Sequence, residues 1–165
     1  MHIAYATTAD MQQNGIGAAV KISTKGLYAV RLMICLAEHQ QNQIVSLKEI
    51  SDSTQISKKY LEQIVPNLTA SNLVKSVRGA SGGYRLAKDP RFISIFDVLN
   101  VTEGNLSPVS CLSANGEIDC TFDSQCKEIF VWEHLRDIVE DYLKSVSLQD
   151  VLDKSEALAG DNYCI

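Results

Sequence analysis

ISKKYLEQIVPNLTASNLVKSVRGASGGYRLAKD, residues 56–89, is the segment that decides the fold. Its first half predicts a helix that begins after Ser57, because a serine hydroxyl at an N-cap accepts a backbone N–H of the first turn. Apolar side chains then recur at helical spacing, at Tyr60, Leu61, Ile64, Val65 and Leu68. The second half predicts two strands, 74–77 and 84–86, joined by a tip in which glycines permit the positive φ of a tight turn.

The same segment carries polar and basic side chains on its helix and hairpin. They are Lys58, Lys59, Glu62, Gln63, Arg78 and Arg85. A polar helix face followed by a basic hairpin is the surface that a winged helix-turn-helix presents to DNA. The alternative is an ordinary helix and hairpin whose lysines are merely solvated, since short motifs also match by chance.

Two further helices are predicted upstream. The first begins near Thr24 after a cap at Ser23 or Thr24, and we expect it to be largely buried through Leu27 and the apolar residues that follow. Cys35 falls in that apolar set, which predicts core packing rather than chemistry. A turn over residues 42–45 leads to a short helix capped by Ser46, with a glutamate three residues later in the capping-box position.

Residues 54–56 then form a turn into the helix after Ser57, which completes a helix-turn-helix. Pro66 lies inside that second helix and cannot donate a backbone hydrogen bond to Glu62. We therefore expect two straight turns, with any bend after them.

Charge is distributed unevenly along the 165 residues, whose net charge is −5. Residues 21–91 hold 11 Lys and Arg against 5 Asp and Glu, whereas the remainder holds 4 against 15. A basic head on an acidic body predicts DNA binding that depends on the head and weakens with salt. The chain has no apolar run of the roughly 18 residues that a membrane span needs, and its start lacks the pattern of a secretory signal. Five cysteines, an odd number, argue against a closed disulfide framework, so we expect a cytoplasmic protein.

The sequence divides into six segments. Residues 1–20 are expected to be a disordered arm, with native translation beginning near Val20, and residues 21–91 to be the winged helix-turn-helix. Residues 92–108 contain a short helix and linker, and residues 109–126 a cysteine-containing loop. Residues 127–154 form a long helix and a short last helix, and residues 155–165 are a tail.

The long helix predicts an interface between helices. Val131, Leu135, Ile138 and Tyr142 step by four, three and four residues, which is the spacing of a seam that packs on a partner helix. We interpret them as a dimer interface, because a helix-turn-helix reads two half-sites. Burial of this face against the chain's own domain is the alternative.

Three cysteines of the loop, Cys111, Cys120 and Cys126, have the spacing C-x8-C-x5-C. Thiolates are soft ligands that suit iron–sulfur clusters. Three interpretations stay open from the residues: a cluster, a thiol switch in which two cysteines form a disulfide, and zinc or no ligand.

KISTKGLYAVRLM, KKYLEQI and LVKSVRGASGGYRL together resemble a bacterial family of winged-helix transcription regulators that includes IscR, NsrR and CymR. The resemblance covers about residues 20–154. It implies a mainly α fold with a small β-hairpin wing, and a homodimer on a partly palindromic operator whose long helix crosses between protomers. It also implies that the glutamate and arginine governing DNA recognition correspond to Glu62 and Arg78.

These roles are physically sound. Glu62 can accept a hydrogen bond from a cytosine amino group, and lysines at the helix start can meet phosphates or guanine edges. Arginines of the hairpin can reach the minor groove or the backbone. The predicted DNA-contacting set is Lys58, Lys59, Tyr60, Glu62, Gln63, Arg78, Ser81 and Arg85.

The resemblance also bears on the effector. The cysteine loop is similar to the cluster-binding loop of IscR-like proteins, but Ile129 stands where those proteins have a histidine ligand and Leu27 where NsrR-like proteins have an aspartate. Glu128, His134 or a non-protein thiol are the remaining candidates for a fourth ligand. CymR-like proteins instead regulate sulfur metabolism through a partner enzyme without a cluster, and GNLSPV before Cys111 resembles that branch equally.

We therefore predict a homodimeric, DNA-binding transcription regulator, a repressor that senses iron–sulfur or redox status. A CymR-like regulator acting through a protein partner or thiol oxidation is the alternative, and a protein-interaction adaptor built on a winged helix is a further one. An enzyme is not expected, because the cysteines share an acidic loop and no phosphate-binding or metallohydrolase motif appears.

Overall fold

A computed structural model describes residues 22–39, 43–79, 81–109, 111–112 and 126–160. The predicted arm, Cys120 and residues 161–165 of the predicted tail lie outside these residues. The described helices are α1 (Thr24–Ala37), α2 (Leu47–Thr54), α3 (Lys58–Ala70), α4 (Ile95–Glu103), α5 (Ile129–Ser145) and α6 (Leu148–Gly160). The strands β1 (Val74–Val77) and β2 (Gly83–Leu86) form one antiparallel hairpin, and a short 3-10 turn, Pro90–Phe92, precedes α4. The mainly α fold with a β-hairpin wing is confirmed.

One core joins the head to the C-terminal helices. α1 lies at its centre and contacts α2, α3, α4, α6 and β2. Leu32 and Met33 of α1 are fully buried, as are Leu61 and Ile64 of α3 and Leu148 at the start of α6. Cys35 is 3 % exposed, and burial raises the pKa of its thiol, which confirms that it packs in the core. Leu27 differs from the expectation: it lies on the outer face of α1 and is half-exposed.

The helix-turn-helix forms for local reasons. In α2, the Ser46 hydroxyl accepts from the Glu49 backbone N–H at 3.2 Å, and the Glu49 carboxylate accepts from the Ser46 N–H at 2.7 Å. The C-cap of this helix is Gln55, whose φ of 58° lies in the left-handed region. The Ser51 hydroxyl donates to the carbonyl of buried Ile56 at 2.7 Å, which fixes the turn into α3. The Ser51 side chain therefore ties the end of the predicted turn to α2.

The hairpin is tied to the helices by a third, single-residue strand. Val45 exchanges both backbone hydrogen bonds with Tyr84 at 2.9 Å. A side chain on neighbouring Gly83 would collide with the Val45 carbonyl, so only glycine permits this close approach. The sequence interpretation of residues 42–45 as a turn missed this pairing.

The segment before α4 is paired with the junction between α5 and α6. The Ile95 N–H donates to the Val146 carbonyl and the Leu148 N–H donates to the Ile93 carbonyl, both at 2.9 Å. α6 then continues past Lys154, where the sequence interpretation ended it, because the added residues SEALAG are mostly good helix formers. α3 likewise runs through Pro66 to Ala70 without interruption.

Candidate nucleic-acid interface

The start of α3 concentrates positive charge at a helix N-terminus. Ser57 caps the helix by accepting from the Tyr60 N–H at 3.4 Å, and Lys58 and Lys59 in the first turn are exposed. Backbone N–H groups and the helix dipole favour anions at this end of a helix. The first turn of α3 is therefore suited to contact a phosphate.

Glu62 and the hairpin border one groove. On α3 the groove is lined by Glu62, Val65, Pro66, Thr69 and Ala70, and on the hairpin by Ser76 and Tyr84. Ser76 and Tyr84 are cross-strand partners in the β1–β2 register, so their side chains share a face of the hairpin. The hairpin therefore stands beside the predicted recognition helix and not apart from it.

The hairpin turn exposes Arg78 and Ser81. Arg78 directly follows β1, and Gly79 after it has a φ of 126°, a conformation that side chains rarely adopt. The Gly82 N–H donates to the Gly79 carbonyl at 3.0 Å, and a side chain on Gly82 would collide with the Val77 carbonyl. The glycines thus shape a tight turn that leaves the Arg78 guanidinium in solvent.

Arg85 lies on the other face of the hairpin from the groove. It pairs with Lys75, one position out of phase with the Ser76–Tyr84 pair, and successive strand side chains point to opposite faces. Arg85 lines a separate cavity with residues of α1 and of the segment after β2. The structure thus brings Glu62 to the hairpin but does not bring Arg85 into that groove.

Tyr60 and Gln63, the remaining predicted contacts on α3, differ in their surroundings. Gln63 is exposed, whereas Tyr60 is half-buried and its ring meets the edge of Tyr28 with centroids 5.1 Å apart. The Arg31 guanidinium lies 5.7 Å above the Tyr28 ring. Tyr60 therefore contributes to the packing of α3 on α1.

Sequence reasoning missed several residues of the groove: Thr69, Ser76 and Tyr84. The strand alternation could have predicted Ser76 and Tyr84. Ser76 lies two residues after buried Val74 and therefore shares its face of the hairpin, and Tyr84 is the cross-strand partner of Ser76. Thr69 had no such signal, and its hydroxyl donates to the Val65 carbonyl at 2.9 Å.

Of the predicted cluster ligands, Cys111 and Cys126 are described, and both are half-buried free thiols. Glu128 and His134, the candidates for a fourth ligand, are exposed. Within the described ranges, no three His, Cys, Asp or Glu residues come together as metal ligands. The donor set fits an iron–sulfur cluster in its chemistry, since its members are thiols, and the third thiol, Cys120, lies outside the described residues.

α5 carries an apolar surface that is only partly covered. Trp132, Val139 and Leu143 are partly buried, and α5 contacts α4. Along the adjoining strip of the helix, Val131, Ile138 and Tyr142 are 43 %, 53 % and 66 % exposed, and Leu135 is partly buried. The predicted interface residues thus share one strip that the described part of the chain leaves largely open.

Among the helices that the structure describes, none combines the length and the apolar character of a membrane span.

Comparisons with known proteins agree on one family. The model of the family Rrf2, described as an iron-dependent transcriptional regulator, matches residues 22–154. The HTH-type transcriptional regulator CymR of Bacillus subtilis is 39 % identical over 132 residues, which are 80 % of this chain and 89 % of that protein. IscR of Vibrio cholerae is 35 % identical over 139 residues, 84 % of this chain and 79 % of that protein.

Solved structures give the same result. The structure of B. subtilis CymR, the global cysteine regulator, has a TM-score of 0.66 and covers 81 % of this chain and 97 % of its own. The structure of T. potens IscR has a TM-score of 0.64 at 38 % identity, and covers 84 % of this chain and 90 % of its own.

Proposed function

This chain belongs to the Rrf2 family of transcriptional regulators, and on that premise we propose that it represses transcription in the cytoplasm as a homodimer bound to a two-fold operator. It is a regulator and not an enzyme, as the sequence predicted. The observation that carries the proposal is the shared groove of α3 and the hairpin, with Glu62 on one side and Ser76 and Tyr84 on the other.

In this proposal α3 enters the major groove. Lys58 and Lys59 neutralise phosphates at its N-terminus, and the Glu62 carboxylate accepts a hydrogen bond from a cytosine amino group. Gln63 adds polar contacts, and Tyr60 supports α3 from the Tyr28 side. Arg78 and Ser81 contact the adjacent minor groove or backbone from the hairpin turn. Arg85 contributes long-range positive charge from the other face of the hairpin.

The exposed face of α5 supports the homodimer. Val131, Leu135, Ile138 and Tyr142 form an apolar strip along three turns of the helix, and such a strip on a soluble regulator favours association. Packing of two α5 helices would bury this strip and give the assembly the two reading heads that a two-fold operator requires.

For the effector we propose an iron–sulfur cluster held by Cys111, Cys120 and Cys126. A cluster supplies a centre whose integrity and charge change with oxidants and with iron supply. Cys111 lies at the end of the segment after α4 and Cys126 just before α5, so ligation of both thiols would restrain the connection between the head and the proposed dimer helix. A ligand shifts such an equilibrium only if it binds one arrangement better.

A CymR-like mechanism is the second candidate. The 39 % identity to a regulator named as CymR and the two half-buried free thiols favour a thiol switch or a partner enzyme of sulfur metabolism. Anaerobic purification separates the two candidates. Visible absorbance with bound iron and sulfide, lost in Cys111→Ser and Cys126→Ser but kept in Cys164→Ser, supports the cluster, whereas a colourless, iron-free protein supports the thiol mechanism.

Selection of duplexes from a random pool, followed by binding titrations in rising salt, tests DNA recognition. We expect an enriched two-fold motif and an affinity that falls steeply with salt. Enrichment of no sequence by the full-length protein would contradict the proposal.

A further inference from the structure

A second concave site lies outside the candidate DNA groove. Its lining comes from the end of α1, the segment before Val45, the end of β2, the 3-10 turn and the start of α6, and the cavity measures about 650 Å3. That volume is within the range of small-molecule sites. The out-of-phase register of Arg85 puts it on the opposite face of the hairpin from Glu62.

The polar lining of this cavity is mainly cationic. Arg85, Lys88 and Arg91 face it together with a single carboxylate, Asp89. That carboxylate is engaged by Arg91, whose Nε and Nη2 donate to its two oxygens at 2.9 and 2.8 Å. The pair leaves further N–H donors on the Arg91 guanidinium, because an arginine has five. The lining thus contains three cationic side chains against one carboxylate.

The remaining lining suits an organic molecule. His39 donates from Nδ1 to the Cys35 carbonyl at 2.7 Å, which leaves Nε2 as the ring nitrogen that can contact a ligand. Gln43 and Gln149 supply amide groups, although the Gln149 Nε2 already donates to Asp153 at 2.7 Å. Leu36, Leu86 and Pro90 supply apolar surface. The negative end of the α1 dipole opposes an anion here, so the cationic side chains must outweigh it.

We propose that this cavity binds a small organic anion carrying a carboxylate or phosphate group. Lys88 and Arg91 hold the charged group, and the amides and imidazole hold its polar substituents. The site joins two halves of the chain, because His39 and Arg85 belong to the head whereas Gln149 belongs to α6. The proposal does not depend on the identity of the effector at the cysteine loop.

Calorimetric titration of the full-length protein without DNA tests the site. The probes are citrate and inorganic phosphate at constant ionic strength, with chloride and glycerol as the comparison solutes. We expect one site per chain for citrate, and a Kd that rises about tenfold or more in Lys88→Glu, since a charge-assisted hydrogen bond is replaced by repulsion. Lys154→Glu is the matched control, because Lys154 is an exposed lysine on α6 outside the cavity lining.

Each outcome is decisive, provided that circular dichroism shows all variants folded. Citrate binding that is weakened by Lys88→Glu and not by Lys154→Glu supports the proposal. Equal weakening in both variants, or no binding by the parent protein, overturns it. The proposal also fails if neither anion binds while Lys88→Glu weakens duplex DNA binding more than Lys154→Glu, because the cavity would then be a surface for DNA phosphates.

Discussion

In the proposed DNA interface, single side chains around the α3–hairpin groove divide between affinity and specificity. Lys58, Lys59 and Arg78 are exposed cations that any duplex attracts, whereas the Glu62 carboxylate repels phosphates and accepts only from a correctly placed donor. Glu62 therefore costs affinity for wrong sequences. Recognition in this proposal depends on its position between the cations and the hairpin.

Arg78→Ala tests the affinity side. We expect operator affinity to fall about ten- to one-hundredfold, because a hairpin arginine contributes a groove or phosphate contact. The side chain is exposed, so the thermal unfolding midpoint should not change. Fluorescence anisotropy with the selected operator measures the effect, and Lys154→Ala, an exposed cation on α6, is the control. Equal affinities for Arg78→Ala and the parent protein would remove the hairpin from the interface.

Glu62→Gln tests the specificity side. Loss of the negative charge should strengthen binding to random duplex DNA while operator binding weakens or stays constant, so the ratio of the two affinities falls about tenfold or more. Competition titrations against random DNA measure this ratio. Glu156→Gln makes the same change on exposed α6 and should leave the ratio unaltered. A specificity ratio that survives Glu62→Gln would exclude Glu62 as a base-reading group.

Sequence reasoning predicted the helix and the hairpin that border this groove because the relevant signals are local. Ser57 and the residues after it determine the helix, and the glycines after Arg78 determine the hairpin. The face on which Arg85 lies depends on the strand register. Strand alternation alone could not predict that face before the pairing of the two strands was known. The groove itself could not be predicted, since it depends on the distance between α3 and the hairpin.

Among the secondary-structure elements, the short helix α2 and the final helix α6 depend on carboxylates at their first turns. Glu49 completes a capping box with Ser46, and Asp150 accepts from the Ser147 N–H at 2.8 Å and hydroxyl at 2.6 Å. The Glu49 pKa is lowered from its ordinary 4.5 mainly by the hydrogen bond from the Ser46 backbone N–H. The Asp150 pKa is lowered from its ordinary 3.8 mainly by the hydrogen bond from the Ser147 hydroxyl. Both groups therefore stabilise the fold as anions.

These lowered pKa values predict an acid dependence with a definite sign. The stabilisation is present above the ordinary pKa of each carboxyl group and is lost as pH falls through the lower pKa of the folded state. The double variant Glu49→Gln with Asp150→Asn should thus lose less stability between about pH 5 and pH 3 than the parent protein. Urea unfolding midpoints at several pH values measure this loss.

The matched control is Glu62→Gln with Glu156→Gln, which removes two exposed carboxylates that cap no helix. If the loss of stability in acid is unchanged in the capping variant, or is reduced equally in the control, other groups cause it.

The elements also show where sequence patterns stop being informative. Capping boxes and apolar spacing were visible for α2, α3 and α4, because each depends on residues three or four apart. The Val45–Tyr84 bridge was not visible, because one residue has no period and its partner is 39 positions away. The burial of α1 was overestimated at one position. Leu27 is apolar and was expected to be buried, but no described element covers it.

For the whole molecule, the exposed strip on α5 predicts that dimerisation and DNA binding are linked. Ile138→Lys introduces a charge at the centre of the strip, where a partner helix would have to desolvate it. We expect the dissociation constant of the dimer to rise about tenfold or more. Operator affinity should fall in parallel. Light scattering after size-exclusion chromatography measures the mass.

Leu158→Lys makes the same chemical change at a 69 % exposed leucine on α6 and is the control. A dimer that tolerates Ile138→Lys and Leu158→Lys equally would show that α5 does not form the interface.

The paired backbone hydrogen bonds between residues 93–95 and 146–148 have a consequence for operator architecture. They connect the segment before α4 to the junction between α5 and α6, so a rotation of one segment would have to carry the other with it. The crossing angle of two long helices would then set the number of base pairs between half-sites, and operators with a lengthened or shortened spacer would be rejected even when both half-sites are intact.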